Sequence, residues 1–243
     1  DCSEIMLWHG DGHTLTKLET IAGPGSIQGF SMMRRGVVSR DETKVVGATP
    51  GQLFILDLST KKVTVSGDLA HQLGSKGVTD HAISPDGKWI AATAFGHRTH
   101  IRAVDQPGVL RFRLGRERDF DTAVAFHPGG HRLYTGNEDG KVRVWDTATW
   151  EEIPGLSWQA HRSAVTALTV SHDGRIIATG GDDTLKLWRA DSTDGDPRHE
   201  LLSFPSYHAP AWIQFASDGK GGDRALMHCA PWCPLEVWDV PEN

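Results

Sequence analysis

Residues 164–188 read Ala164-Val165-Thr166-Ala167-Leu168-Thr169-Val170-Ser171-His172-Asp173-Gly174-Arg175-Ile176-Ile177-Ala178-Thr179-Gly180-Gly181-Asp182-Asp183-Thr184-Leu185-Lys186-Leu187-Trp188. Apolar and polar side chains alternate through residues 164–171, 175–179 and 185–188, which predicts three short strands, each with one buried face. The Asp173-Gly174 pair supplies a tight turn after the first strand, and residues 180–183 supply the second turn. Three antiparallel strands follow directly. The order recurs at 122–126, 132–135 and 141–145, with Asp139-Gly140 turning into the last strand, and again from Ala82 through Ser84-Pro85-Asp86-Gly87 to Ile90. A fourth strand is expected between units, as at 152–156 or 200–203.

The unit repeats along nearly the whole chain. Trp8, Leu56, Val104, Trp145, Trp188 and Trp238 end successive apolar runs, at steps of 48, 48, 41, 43 and 50 residues. That is the period of four-stranded propeller blades. Composition agrees: among 243 residues there are 27 Gly, 12 Pro and 9 Trp against 4 Met, a balance suited to turns and short strands and unlike a helical bundle. Lys and Arg number 25 and Asp and Glu 31, for a net charge of -6, so there is no broad basic field for duplex DNA or anionic lipid. No apolar run is long enough to span a bilayer as a helix. A cytoplasmic setting is favoured, and no nucleic-acid or membrane partner is expected.

The quoted residues resemble the WD-repeat (Trp-Asp repeat, WD-40 type) β-propellers. The likeness is fullest over residues 160–189, where Ala160-His161 stands for the family's Gly-His step. It implies an all-β propeller of four-stranded antiparallel blades and, in this unit, a hydrogen-bonded relay of His161, Thr179, Asp182 and Trp188. A buried indole N–H and imidazole need partners, and a hydroxyl and a carboxylate supply them. The unit ending at Trp145 keeps Thr135 and Asp139 but has Glu117 where the His falls. The units ending at Val104 and Leu56 lack Trp, and the last unit replaces its turn with Ala230-Pro231-Trp232-Cys233-Pro234. Trp89, Trp145, Trp188 and Trp238 are expected to pack between blades.

The strand count is two, then sixteen, then three. The chain is therefore expected to cover about five blades of a longer six- to eight-bladed ring, because an open arc forfeits roughly 10 kcal/mol of blade-face burial. The remainder of that propeller is then itself a partner. A closed five-bladed ring with a displaced first strand is the alternative.

No catalytic, metal or cofactor constellation stands out. The 13 His show no His-x3-His pair with a third ligand, and Ser26 lacks the glycine of a nucleophile elbow. Cys229 and Cys233 flank the last unit's turn, where a hairpin disulfide is weighed against free thiols. The alternating charges of residues 115–119 suggest a solvated loop. The resemblance implies a non-enzymatic scaffold that binds a protein or peptide through its loop-bearing face. Arg98, Trp158, Arg162, Trp212 and Trp232 are the candidate anchors, the three Trp being expected in loops. A propeller enzyme or ligand sensor using the central channel is the alternative, as is the repeat region of a larger signalling protein.

Overall fold

The computed structural model describes residues 4–10, 15–22, 36–49, 51–67, 69, 77–181, 184–190, 200–205, 209–217, 223–229 and 236–239. Among these there is no helix, so none is long and apolar enough to cross a membrane. A hairpin of β1 (Glu4–Gly10) and β2 (Leu15–Ala22) is followed by four complete antiparallel blades. Blade 1 is β3 (Val37–Val38), β4 (Lys44–Ala48), β5 (Leu53–Asp57) and β6 (Lys62–Val65). Blade 2 is β7 (Val78–Ile83), β8 (Trp89–Ala94), β9 (His100–Ala103) and β10 (Gln106–Arg113). Blade 3 is β11 (Asp121–Phe126), β12 (Arg132–Asn137), β13 (Lys141–Asp146) and β14 (Trp158–Gln159), and blade 4 is β15 (Ala167–Val170), β16 (Ile176–Gly180), β17 (Thr184–Arg189) and β18 (Glu200–Pro205). A three-stranded sheet of β19 (Pro210–Ser217), β20 (Asp223–Cys229) and β21 (Glu236–Asp239) completes the order. The expected two, sixteen and three strands are those observed among the described residues.

Each blade is a simple meander, so its strands pair with sequence neighbours along antiparallel ladders. The alternation then puts two apolar faces on each blade, and the seams between blades are the core. Ile55, Val46, Ile90 and Ala92 fill the seam of blades 1 and 2. Ala91, Ile101, Leu133 and Trp145 fill that of blades 2 and 3, and Tyr134, Val144, Ile177 and Trp188 that of blades 3 and 4. Trp145 and Trp188 are 3% and 4% exposed, so each indole is seam packing.

Two expectations are corrected by the register. Trp145 pairs with Leu133 and Trp188 with Ile177, and the residue in that place opposite Ile90 is Arg102, not Val104. Arg102 is fully buried, and its guanidinium donates to Pro107 O at 3.1 Å. Burial, together with the nearby Arg113, pulls its pKa down to about 10. The fourth strand of blade 3 is β14, not 152–156. There Pro154 lacks a donor, Gly155 turns at φ +80°, and only an isolated bridge joins Glu152 to Trp145.

Candidate functional site

The turns between second and third strands and the connections from one blade to the next lie at the same end of the meanders, and hydrogen bonds between them build one rim. Its best-formed element is in blade 4. Trp188 Nε1–H donates to Thr179 Oγ1 at 2.8 Å, and Thr179 Oγ1 lies 2.8 Å from His161 Nε2. His161 Nδ1 lies 3.1 Å from Thr184 Oγ1. The indole is thus joined through the Thr179 hydroxyl to the imidazole, and the imidazole to the Thr184 hydroxyl, in one continuous side-chain network. Thr179 is fully buried and His161 is 4% exposed, so neither bond competes with water. Asp182, the fourth relay residue, lies outside the described residues.

Blade 3 solves the same problem differently. Trp145 Nε1–H donates to Thr135 Oγ1 at 3.0 Å, but no imidazole follows. Asp121 lies beside Thr135, whose hydroxyl is among the groups favouring its ionised form. Its Oδ2 accepts from the backbone N–H of Thr99 at 3.1 Å and from Thr99 Oγ1 at 2.6 Å, so the carboxylate ties blade 3 to the β8–β9 turn of blade 2. Burial dominates there and pushes the Asp121 carboxyl up to about 6 despite those donors. Glu117, at the position expected of the His, is exposed.

The other rim bonds also run from loop to loop. Arg98 donates to Gly115 O at 3.0 Å, and Ala160 N–H and His161 N–H both donate to Gly140 O. Gln159 Nε2 donates to Asp139 O and to His161 O at 2.6 and 2.8 Å. Gly140 sits at φ +79°, and a Cβ there would lie 2.2 Å from His161 O, so only glycine permits this closeness. Residues 115–119 expose Arg116, Glu117 and Arg118, as expected of a solvated loop, and are anchored through Asp119. Asp119 accepts from Arg143 Nη2 at 2.7 Å and pairs with Nη1, the two side chains being 18% and 12% exposed. Burial alone would raise the Asp119 pKa, but the Arg143 guanidinium and the Arg116 N–H outweigh it and hold the carboxyl below its ordinary range.

The predicted anchors separate on this frame. Arg98 is half-buried in the β8–β9 turn and Arg162 is exposed in the β14–β15 connection. Trp158 is not in a loop: it forms β14, is 3% exposed and packs on Trp188 with ring centroids 5.6 Å apart. Trp212 is half-buried within β19, opposite His228, rather than in a loop. Trp232 and Cys233 lie outside the described residues, and Cys229 is the last residue of β20. A residue the sequence did not single out is Phe95, 47% exposed in the turn that carries Arg98. An aromatic beside the left-handed Gly96 was the available signal.

At the opposite end the inner strands surround a cavity of about 620 Å³, walled by Ile83, Val124, Phe126, Leu168 and Phe215. Arg40 reaches across its mouth to donate to Pro128 O at 2.6 Å. The described residues contain no group of three or more His, Cys, Asp or Glu placed to hold a metal ion.

The sequence pattern described as WD domain, G-beta repeat matches residues 65–102, 122–146 and 153–189, the segments that carry blades 2, 3 and 4. WD repeat-containing protein srw1 of Schizosaccharomyces pombe is 28% identical over 191 residues, which is 76% of this chain and 32% of the relative. Protein HIR1 of Yarrowia lipolytica is 35% identical over 115 residues, 37% of this chain and 11% of the relative. DDB1- and CUL4-associated factor 11 homolog of Caenorhabditis briggsae is 28% identical over 110 residues, 43% of this chain and 20% of the relative. The chain thus spans a third or less of the length of each. With its repeats matched, its blades in meander order and its strand-end indoles bonded to buried threonines, the chain belongs to the WD-repeat β-propeller family.

Proposed function

We propose that the chain is a non-enzymatic scaffold that presents the rim of blades 2 to 4 to a protein or peptide partner. The observation that carries this reading is the combination of a cross-bonded rim, to which the half-buried Arg98 contributes, with Phe95 and Arg162 exposed on it. Aromatic and Arg side chains dominate binding hot spots, and a rim already held by Asp121–Thr99, Asp119–Arg143 and Gly140 contacts loses little entropy on docking. Membership of a family used widely as interaction scaffolds supports the reading, as does a relative whose name couples it to DDB1 and CUL4.

Affinity purification with quantitative mass spectrometry tests it, using the wild-type chain, the double variant Phe95→Ala/Arg162→Glu, and Arg175→Glu at the opposite end. The expected result is a set of proteins retained by wild type and Arg175→Glu and lost from the rim variant. Identical sets for all three proteins refute the proposed face.

A further inference from the structure

Blades 2 and 3 meet around a plug that blades 1 and 2 lack. In the former seam, the long connection from β13 to β14 swings Trp150, only 8% exposed, against Trp89 and Phe112 with centroids 5.5 and 5.8 Å away. The corresponding connection of blade 2, from β9 to β10, is only Val104 and Asp105, and it brings no aromatic. A slot of about 500 Å³ opens there, between blades 1 and 2 on the flank of the propeller. Ile55 and Val104 form its apolar floor. Its reach toward the rim ends where Gly108 meets the β6 side, for a Cβ on Gly108 would lie 2.6 Å from Ser66 O.

The charges around this slot run against those of the whole chain. Lys44, Lys62 and Lys88 line it, in a protein of net charge -6. Lys62 makes no ion pair among the described residues, and Lys88 reaches only Asp86, at 3.6 Å and with both side chains at least half exposed. Of the two lining carboxylates, Asp57 is turned into its own loop. It accepts from Ser59 Oγ at 2.6 Å, Thr60 N–H at 2.8 Å and Ser59 N–H at 3.0 Å, which hold its pKa down at about 2. Asp105 alone among the lining carboxylates is left outside such a turn.

We infer that the slot between blades 1 and 2 is a docking site for an acidic peptide segment, one apolar side chain filling the space beside Val104 and flanking carboxylates meeting Lys44, Lys62 and Lys88. The apolar residue recovers the burial that Trp150 provides in the next seam, and the flanking charges fix direction and speed encounter. This surface is on the flank and stands independently of the rim.

Fluorescence anisotropy on the full chain tests it, with three labelled ten-residue peptides as probes: a Leu or Phe flanked by Glu, the same apolar residue flanked by Lys, and Glu throughout. Expected is saturable binding of the first peptide only, weakened at least tenfold by Lys62→Glu/Lys88→Glu and by Val104→Trp, which fills the slot. Phe95→Ala/Arg162→Glu leaves that binding unchanged, so failure of the rim reading is read separately. Equal binding of the all-Glu peptide, competition by inorganic phosphate or an oligonucleotide at equal concentration, or indifference to the Lys62/Lys88 variant overturns the inference. Val104 is 8% exposed, so circular dichroism first checks that its variant folds. If it does not, the surface lysine pair decides alone.

Discussion

Replacing Thr179 by Val tests the physical account of the rim most sharply. The two side chains have nearly the same shape, and Thr179 is fully buried, so the substitution removes one oxygen and little else. That oxygen accepts from Trp188 Nε1–H and bonds His161 Nε2, each at 2.8 Å. Both groups are left buried without this partner, at about 1–3 kcal/mol apiece. A loss near 3 kcal/mol is a large share of the roughly 5–15 kcal/mol that holds a domain folded, and lowers Tm by about 6–12 °C. Thr179→Ser keeps the oxygen and loses one methyl group, at about 1 kcal/mol. The expected order of stability in urea unfolding is wild type, Ser, then Val, with the last two separated by about 2 kcal/mol. Trp188→Phe removes the donor, so it costs less in the Thr179→Val background than in wild type, a coupling that a double-mutant cycle reads directly. Equal stability of the Val and Ser variants, or additive costs with Trp188→Phe, would refute the claim that this hydroxyl satisfies the indole.

Asp121 makes a pH-dependent prediction. Its folded pKa, raised from 3.8 to about 6, means that the native state binds the proton more tightly than the unfolded chain. Its contribution to stability is therefore present below pH 4 and lost as pH rises through 6, by at most about 3 kcal/mol. Asp121→Asn, which keeps the acceptor for Thr99, is expected to be at least as stable as wild type at pH 7.5 and to lose that advantage by pH 5. Parallel Tm-against-pH curves exclude the assignment. Gly140→Ala forces a Cβ to 2.2 and 2.4 Å from His161 O and Ser163 O at a left-handed φ, and is expected to cost more than about 2 kcal/mol in denaturant melts. Trp150→Ala opens a cavity in the seam of blades 2 and 3 and is expected to cost about 3 kcal/mol, with the half-buried Trp89 becoming more accessible to solvent quenchers.

The rim and the channel mouth differ in what they offer a partner. The cavity mouth mixes the apolar ends of inner strands with polar residues such as Glu42, His81 and Gln214 and is spanned by Arg40, whereas the rim sets an exposed aromatic, Phe95, among loops bonded across blade boundaries. A surface ordered before contact gains most from each new contact, which favours the rim as the recognition face.

The blade architecture was legible in the chain itself because its signals are local. Alternation of period two, Asp-Gly turns and recurring strand-end indoles are all set by near neighbours, and the strands containing Leu168, Ile177 and Trp188 follow from them. The pairing of Trp188 with Thr179 also lay within one repeat and could be expected from it. What needed the tertiary structure were relations between repeats. Trp158 read as a loop residue because the fourth strand was expected at 152–156, yet it forms that strand itself and the neighbouring blade buries it against Trp188. Arg102 stands in an indole's place because strand register, not residue type, sets the column. Asp121 looks like any strand-edge carboxylate until Thr99 of the preceding blade meets it, and the lysine-lined slot exists only because two blades leave between them a gap that one connection is too short to fill. Local propensity selects the blade, whereas which side chains meet across a seam depends on how blades pack, a relation that no single repeat encodes.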